Sequence, residues 1–252
     1  MGQPTPHLNV THLNVMDDTG VRTITIDRPE VKNALTTAMR DGLCNLLADA
    51  DADPDVRVVV LTAVDPVFSA GVDFKEAGAS TSSTNPGEAL RAMATPVICA
   101  VNGACVSGAL EIALSSTFVV ASDRARFADT HARLGVVATW GLTALLPRAV
   151  GLRKAREMSI TGNFVAADEA LRIGLVNHVV PHDELASFTA LLAADVATTG
   201  AVAEVLSLYD RGDGAPLAEA LALEAEHAAT RTYDLEAFRR AGTETARRGS
   251  TT

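Results

Sequence analysis

The chain has 252 residues, of which 48% are hydrophobic and 21% charged, and its formal net charge is −10. A chain of this length buries about three quarters of its unfolded surface, and its three cysteines lack C-x-x-C spacing, which argues against a disulfide scaffold or a zinc ribbon. The negative charge argues against nucleic-acid or anionic-membrane partners, and no apolar run is long enough for a transmembrane helix.

The start of the chain carries neither the basic region nor the apolar region of a signal peptide. We therefore expect a cytoplasmic protein with no membrane attachment, no nucleic-acid partner and no metal.

Hydrophobic periodicity and turn residues predict strands and helices in alternation along the first half of the chain. In chain order the predicted elements are strands over 8–16 and 21–26 joined by a turn at 17–20, a helix from Thr36 or Thr37 to about Asp51, a strand over 56–62, a surface loop over 79–87, a short helix over 87–93, a strand over 96–101, a helix over about 107–115, and a strand over 117–121. This order predicts an α/β fold with right-handed crossovers. The helix-spaced apolar residues of 36–50 and 141–150 are expected to form core.

The last quarter of the chain is predicted to be helical from Asp183 or Ser187 onward. We expect two domains, a core over 1–195 and a helical segment over 196–252. The helical segment has too few apolar residues to form its own core, so it should pack on its own body or on another subunit.

Two glycine-bearing segments follow predicted strands and are the candidates for function. Gly71 follows the 56–62 strand and Gly108 follows the 96–101 strand. Ligands bind at the carboxyl edge of open α/β sheets, and a residue without a Cβ allows close approach to its backbone. A helix that begins near Gly108 presents free amide groups that stabilise an oxyanion. Glu111 lies one turn later, so its carboxylate is expected beside whatever the Gly108 amide binds.

The sequence lacks the defining residues of other common catalytic and binding motifs. The spacing of Gly103 and Gly108 resembles a P-loop, but no Lys-Ser/Thr pair follows. Neither Ser69 nor Ser107 lies in a G-x-S-x-G nucleophile elbow. Pro181 separates His178 from His182, which argues against a metal site on one helix face.

Four segments in order resemble motifs of the enoyl-CoA hydratase/isomerase (crotonase) superfamily. They are Arg28-Pro-Glu-Val-Lys-Asn-Ala-Leu35, Phe68-Ser-Ala-Gly-Val-Asp-Phe-Lys-Glu76, Val101-Asn-Gly-Ala-Cys-Val-Ser-Gly-Ala-Leu-Glu111, and Ala166–Ala170 with Ile173-Gly-Leu-Val-Asn-His-Val-Val180. The resemblance covers almost the whole chain.

The resemblance implies a spiral of ββα units followed by helices used in assembly, as a homotrimer or a dimer of trimers. It implies an acyl-CoA thioester as substrate and no cofactor beyond that coenzyme A. The oxyanion hole would consist of the backbone amides of Val72 and Gly108. Glu111 matches the first of the two catalytic glutamates of family hydratases.

The second catalytic glutamate is replaced by His131, which can also transfer protons near neutral pH. Asp129 and Thr130 flank His131 and are candidates to orient its ring, with helix capping as the alternative. Trp140 is bulky for its loop and is expected to narrow the acyl pocket or to fill a gap under the loop. Ser107 replaces a glycine that is common in the family.

The remaining candidates are weaker. The substrate-binding candidates are Ala70, Gly71, Asp73, Trp140, Arg28 and Lys75. Arg28, Lys75, and Arg239 or Arg240 are candidates for the phosphates of coenzyme A.

Three functions are consistent with the sequence. The first is hydration of a 2-enoyl-CoA, with Glu111 and His131 as the acid/base pair. The second is isomerisation or another acyl-CoA reaction of the same superfamily. The third is acyl-CoA binding without catalysis.

Overall fold

The computed structural model describes residues 11–76, 84–232 and 234–249. Its strands are β1 (Leu13–Asp18), β2 (Val21–Ile26), β3 (Val58–Ala63), β4 (Val97–Val101), β5 (Ala104–Val106), β6 (Phe118–Ser122), β7 (Arg126–Ala128), β8 (Val165–Ala166) and β9 (His178–Val180). Its helices are α1 (Thr37–Ala52), α2 (Pro86–Arg91), α3 (Gly108–Ser115), α4 (Leu142–Val150), α5 (Leu152–Thr161), α6 (Ala167–Arg172), α7 (Leu185–Thr198), α8 (Val202–Gly212), α9 (Leu217–Thr230) and α10 (Leu235–Gly249).

Six strands form the main sheet in the order β1-β2-β3-β4-β6-β9. β1 and β2 are antiparallel, whereas the other neighbouring pairs are parallel. The inner strands β3 and β4 are almost continuously apolar because both faces of this part of the sheet are covered. The predicted α/β class is therefore confirmed.

The two faces of the sheet carry two separate apolar cores. Val59 and Leu61 pack on the side of α1 and α3. Their neighbours Val58 and Val60 point the other way, toward Leu185 at the start of α7. The period of two along β3 thus supplies both cores from one strand.

Most predicted elements of the first half are present with shifts of one or two residues at their ends, but the hairpin differs. β1 extends through Asp18, which pairs with Val21, so only Thr19 and Gly20 form the turn. The prediction of a turn over 17–20 is wrong for Asp17 and Asp18, which belong to β1. The antiparallel pairing continues until only a two-residue hairpin loop remains. Residues 8–10 of the predicted first strand lie outside the described residues, and the prediction is wrong for residues 11 and 12, which form a turn before β1.

Helix α1 begins where its capping residue predicts. Thr36 has extended backbone angles, and its hydroxyl accepts a hydrogen bond from the Met39 amide at 3.2 Å. The helix packs its apolar side on the sheet and ends at Ala52.

A second sheet was not predicted. Strands β5, β7 and β8 pair with one another. Each has only two or three residues, which is too short to show a hydrophobic period. This sheet matters for the site because β5 precedes α3 and β7 precedes His131.

Two other expectations need correction. Within 141–150, Leu142 and Leu146 are buried, but the rest of α4 is not, so that segment is only partly core. The predicted loop over 79–87 lies partly outside the described residues, and its last two residues, Pro86 and Gly87, are buried at the start of α2.

The chain divides into two compact units, Met1–Ala203 and Glu204–Thr252. In the second unit, the described residues of α8 and α9 include none that is buried. Among the described residues no single helix is long and apolar enough to cross a membrane, and the segments His182–Thr198 and Val202–Gly212 reach that threshold only together.

Candidate active site

The loop that carries Val72 is held by buried polar groups. The Asn33 side chain donates to the carbonyls of Val64 and Val67 at 2.8 and 2.7 Å, and it accepts a bond from the Arg28 amide. The Ser69 hydroxyl donates to the Asn33 carbonyl at 2.7 Å. These bonds connect the early Arg-Pro segment to the loop after β3.

Val72 itself lies beside the start of α1. It forms a parallel β-bridge with Leu35, in which the Leu35 amide bonds Gly71 O and the Asp73 amide bonds Leu35 O. This pattern leaves the Val72 amide without an acceptor among the described residues. Glu76 further ties the loop to α1 by accepting a bond from the Thr37 amide at 2.6 Å.

Helix α3 begins at Gly108, directly after a strained residue. Ser107 has φ +51° and ψ −111°, a region that costs a non-glycine residue energy. Its amide bonds Ala128 O at 2.9 Å, and its hydroxyl lies 2.5 Å from the Thr130 hydroxyl. These contacts, made through the small second sheet, hold the backbone so that α3 starts at this point. The Gly108 amide has no acceptor among the described residues.

The two free amides belong to segments that touch. A Cβ placed on Gly71, which has φ +90°, would lie 2.8 Å from Val106 O and 3.3 Å from the Gly108 nitrogen. Only glycine fits this approach, because both the space and the backbone angle exclude a side chain. The segment that carries the Val72 amide therefore lies directly against the start of α3, where the Gly108 amide is.

Glu111 turns inward from the first turn of α3. Only 2% of the surface of Glu111 is exposed. One carboxylate oxygen, Oε1, accepts bonds from the amides of Trp140 and Leu142 at 2.6 and 3.3 Å. The other, Oε2, lies 3.5 Å from Nε2 of His131. One oxygen is thus occupied by the backbone, and the other faces the histidine.

His131 lies between two carboxylates. Its Nδ1 is 2.7 Å from Oδ1 of Asp129, and the same oxygen accepts a bond from the His131 amide at 3.1 Å. Asp129 is buried at the end of β7. The carboxylate orients the ring, so that Nε2 faces Glu111.

The surroundings shift the protonation of all three groups. Burial raises the pKa of Glu111, and it does so against the opposing effects of the Trp140 and Leu142 amides and of His131. The hydrogen bond to Asp129 raises the pKa of His131, with burial opposing and Glu111 adding to the increase. Burial disfavours the Asp129 carboxylate, but hydrogen bonds from His131 and Ser159 outweigh it and lower the pKa of Asp129. An ionised Asp129 means that Nδ1 of His131 donates in their bond.

Trp140 forms a wall beside the Gly108 amide. Its indole is 7% exposed, and a Cβ on Gly108 would lie only 2.9 Å from Cζ3 of that ring. Its carbonyl accepts a bond from Arg91 at 2.7 Å. Trp140 therefore packs its ring against Gly108 and donates its amide to Glu111.

Two of the charged candidates near Val72, Arg28 and Asp73, form an ion pair. Nη1 of Arg28 donates to Ala34 O at 3.0 Å and to Oδ2 of Asp73 at 2.7 Å. The hydrogen bond from Arg28 lowers the pKa of Asp73, and the Lys75 amide also bonds that carboxylate. Arg28 and Asp73 thus hold the shape of the loop, whereas Lys75 is exposed. Ala70 donates its amide to Lys32 O.

Sequence reasoning missed one residue here, Arg40. It lies on the buried side of α1, and its guanidinium carbon is 5.8 Å from the centroid of the Trp140 ring. The available signal was an arginine between the apolar residues Met39 and Leu43, where a helix that packs on a sheet is expected to turn inward. Within the described residues no cluster of His, Cys, Asp and Glu is arranged to hold a metal ion.

Comparisons with known proteins identify the family of the chain. Residues 17–241 match the family model described as Enoyl-CoA hydratase/isomerase. The chain is 36% identical over 217 residues to a protein of Arabidopsis thaliana named "Probable enoyl-CoA hydratase 1, peroxisomal". The matched region covers 83% of this chain and 82% of that protein.

Two solved structures show the same likeness in three dimensions. An enoyl-CoA hydratase from Mycobacterium tuberculosis H37Rv is 47% identical with a TM-score of 0.76, over 85% of this chain and 96% of that one. An enoyl-CoA hydratase from Bacillus anthracis is 29% identical with a TM-score of 0.87, over 93% of this chain and 97% of that one. The extent of the family match and the identity to these relatives show that this chain belongs to the enoyl-CoA hydratase/isomerase family, the crotonase superfamily.

Proposed function

We propose that the protein hydrates 2-enoyl-CoA thioesters. The observation that carries this proposal is the pairing of two proton carriers, Glu111 and His131, beside the amides of Val72 and Gly108. Hydration of a double bond moves one proton from water and delivers one to carbon, so it uses two such groups. The names of the relatives support the same reaction.

The reaction follows from the positions of the groups. The amides of Val72 and Gly108 bind the thioester oxygen and stabilise the enolate charge that develops on it. Glu111 takes a proton from water as the water oxygen bonds to the β-carbon. Protonated His131 gives its Nε2 proton to the α-carbon, and the electrons of the enolate form the new C–H bond.

The 3.5 Å separation of Oε2 of Glu111 and Nε2 of His131 allows the cycle to close. After addition, Glu111 holds the proton from water and His131 is neutral. A proton passed from Glu111 to His131 restores both groups to their starting forms. The sum of the steps is addition of one water molecule, with no cofactor consumed.

Several further assignments belong to this proposal. The substrate is an acyl-CoA, the chain assembles as a homotrimer or a dimer of trimers, and it acts in the cytoplasm. The peroxisome is the alternative location, because the name of the Arabidopsis relative includes the word peroxisomal.

The test is hydration of crotonyl-CoA by the purified protein, which is measured as the loss of the enoyl-thioester absorbance. We expect Glu111→Gln to lower kcat by about 10²- to 10⁴-fold, the usual contribution of a positioned acid or base. Glu88→Gln removes an exposed glutamate of α2 and is the matched control.

Other outcomes distinguish the alternatives. A shift of the double bond without a mass increase of one water would assign isomerisation instead. Acyl-CoA binding without any product across a panel of acyl-CoAs would assign a binding protein, and an unchanged rate in Glu111→Gln would remove Glu111 from the mechanism.

A further inference from the structure

Arg40 is a buried cation that pairs with no carboxylate among the described residues. The residue is 8% exposed, and its Nε has no hydrogen-bond partner. Within the described part of the chain, its contacts are one bond from Nη2 to the Thr37 hydroxyl at 2.9 Å and the face of the Trp140 ring. Burial of a charge is costly unless the charge is paired, so this arrangement calls for an explanation.

Arg22 shows how another buried arginine of the protein is stabilised. It is 3% exposed and contacts the carboxylates of Asp17 and Asp53 at 2.8 and 3.1 Å. Arg91, next to Trp140, is exposed, and its Nη1 donates to the Ser115 hydroxyl and to Trp140 O. The protein has 31 acidic residues against 21 basic ones, so the missing partner of Arg40 does not reflect a shortage of carboxylates. A cation–π contact with Trp140 offsets only part of the cost of desolvation.

Arg40 is also tied to the candidate site. Thr37, which holds its Nη2, donates its amide to Glu76 of the Val72 loop. On the other side, the Trp140 ring that Arg40 covers lies against Gly108. The Trp140 ring therefore contacts both Gly108, whose amide has no acceptor among the described residues, and the guanidinium of Arg40.

We infer that Arg40 binds a carboxylate at the end of a short acyl chain, so that the preferred substrate is a 2-enoyl-CoA with a terminal carboxylate. The inference rests on the proposed function for the enoyl part of the substrate. The guanidinium has a free donor at Nε and a planar shape that matches a carboxylate. Trp140 limits the length of the chain, and Arg40 selects its charge.

The experiment compares crotonyl-CoA with 4-carboxybut-2-enoyl-CoA, which carries a carboxylate at the end of a short chain. For the wild-type protein we expect kcat/KM to be about 10- to 100-fold higher for the carboxylated substrate, the range typical of a hydrogen bond to a charged group. Arg40→Met should abolish most of this preference, mainly through KM. Arg91→Met removes an exposed neighbouring arginine whose Nη1 is already bonded to Ser115 and to Trp140 O, and it should retain the preference. Arg40→Lys keeps the charge without the planar fork, so it should retain only part of the preference.

Binding of saturated analogues separates this inference from the proposed reaction. Calorimetric titration with butyryl-CoA and glutaryl-CoA needs no chemistry, so a preference for glutaryl-CoA that Arg40→Met loses would support the role of Arg40 even if neither enoyl-CoA were hydrated. A wild-type protein that prefers the uncharged chain in both assays, or an Arg40→Met variant that weakens both ligands equally, would overturn the inference. The wild-type comparison decides the question even if the variants do not fold.

Discussion

Nε2 of His131 and Oε2 of Glu111 are 3.5 Å apart, although 20 positions separate the two residues along the chain. Asp129 determines which histidine nitrogen faces the glutamate, because it binds Nδ1 at 2.7 Å. A histidine held in this way differs from a glutamate at the same position, since it is cationic when protonated. The charge of the pair therefore depends on Asp129 as well as on the two proton carriers.

Asp129→Asn tests this dependence through the pH profile. Asp129 raises the pKa of His131, so its loss should lower that pKa. If protonated His131 delivers the α-proton, the alkaline limb of kcat/KM should then move to lower pH. The profile is measured with crotonyl-CoA, and the His131 titration is followed by NMR. A large fall in rate with an unmoved alkaline limb would mean that Asp129 has only a structural role.

Trp140→Ala tests the second residue that departs from the family pattern. The buried indole packs on Gly108, so its removal should cost about 3–5 kcal/mol of stability. The space it leaves should raise kcat/KM for longer chains relative to crotonyl-CoA, by about tenfold for oct-2-enoyl-CoA.

Urea denaturation and a series of chain lengths measure the two effects of Trp140→Ala. Trp140→Phe keeps an aromatic ring and is the milder control. Unchanged chain-length selectivity in the alanine variant would show that the ring only fills space under the loop.

At the scale of elements, the site depends on loops held from several directions. β3 and β4 deliver the two glycine-bearing segments to one edge of the sheet, as parallel strands do. The start of α1 bridges Val72 through Leu35, and the small second sheet holds Ser107 against Ala128 and Thr130. The sequence predicted β3, β4 and α1, and with them the two glycine-bearing segments at one edge of the sheet. The second sheet is too short to have been predicted from periodicity.

Asn33→Ala tests how these loops are held. The substitution leaves the carbonyls of Val64 and Val67 and the amide of Arg28 without their side-chain partner. An unsatisfied buried group costs about 1–3 kcal/mol, so the free energy of unfolding should fall on the order of 3 kcal/mol. Chemical denaturation measures the loss, with the exposed Asn163→Ala as control. A loss no larger than that of the control would show that water replaces these bonds.

At the scale of the whole molecule, the second compact unit presents apolar side chains to solvent. Leu217 and Leu221 lie one turn apart on α9 and are 74% and 55% exposed. Exposed apolar faces of this kind favour association with another surface. The proposed homotrimer or dimer of trimers would provide one.

A double variant, Leu217→Ser with Leu221→Ser, should shift the assembly toward smaller species. The measurement is the molar mass by light scattering after size-exclusion chromatography. Glu219→Gln with Glu226→Gln changes the opposite side of α9 and should leave the mass unchanged. A monomeric wild-type protein, or a serine variant of unchanged mass, would contradict the proposed role of this face.

The amino-acid sequence by itself determined the features that depend on neighbouring residues. These are the cap of α1, predicted at Thr36 or Thr37, the start of α3 near residue 107, the buried strand predicted over 56–62 and the family motifs. Backbone angles and hydrogen bonds within a few residues specify such features, so local patterns reveal them.

Only the tertiary structure decided which side chains meet. It brought Glu111 to His131, placed the Trp140 amide on Glu111, and buried Arg40 away from every carboxylate of the described segments. These contacts join residues that are distant along the chain, and their distances, burial and shifts in pKa depend on how separate elements pack. The position of Arg40 between Met39 and Leu43 indicates that its side chain turns inward, but no local pattern shows that Trp140 covers it.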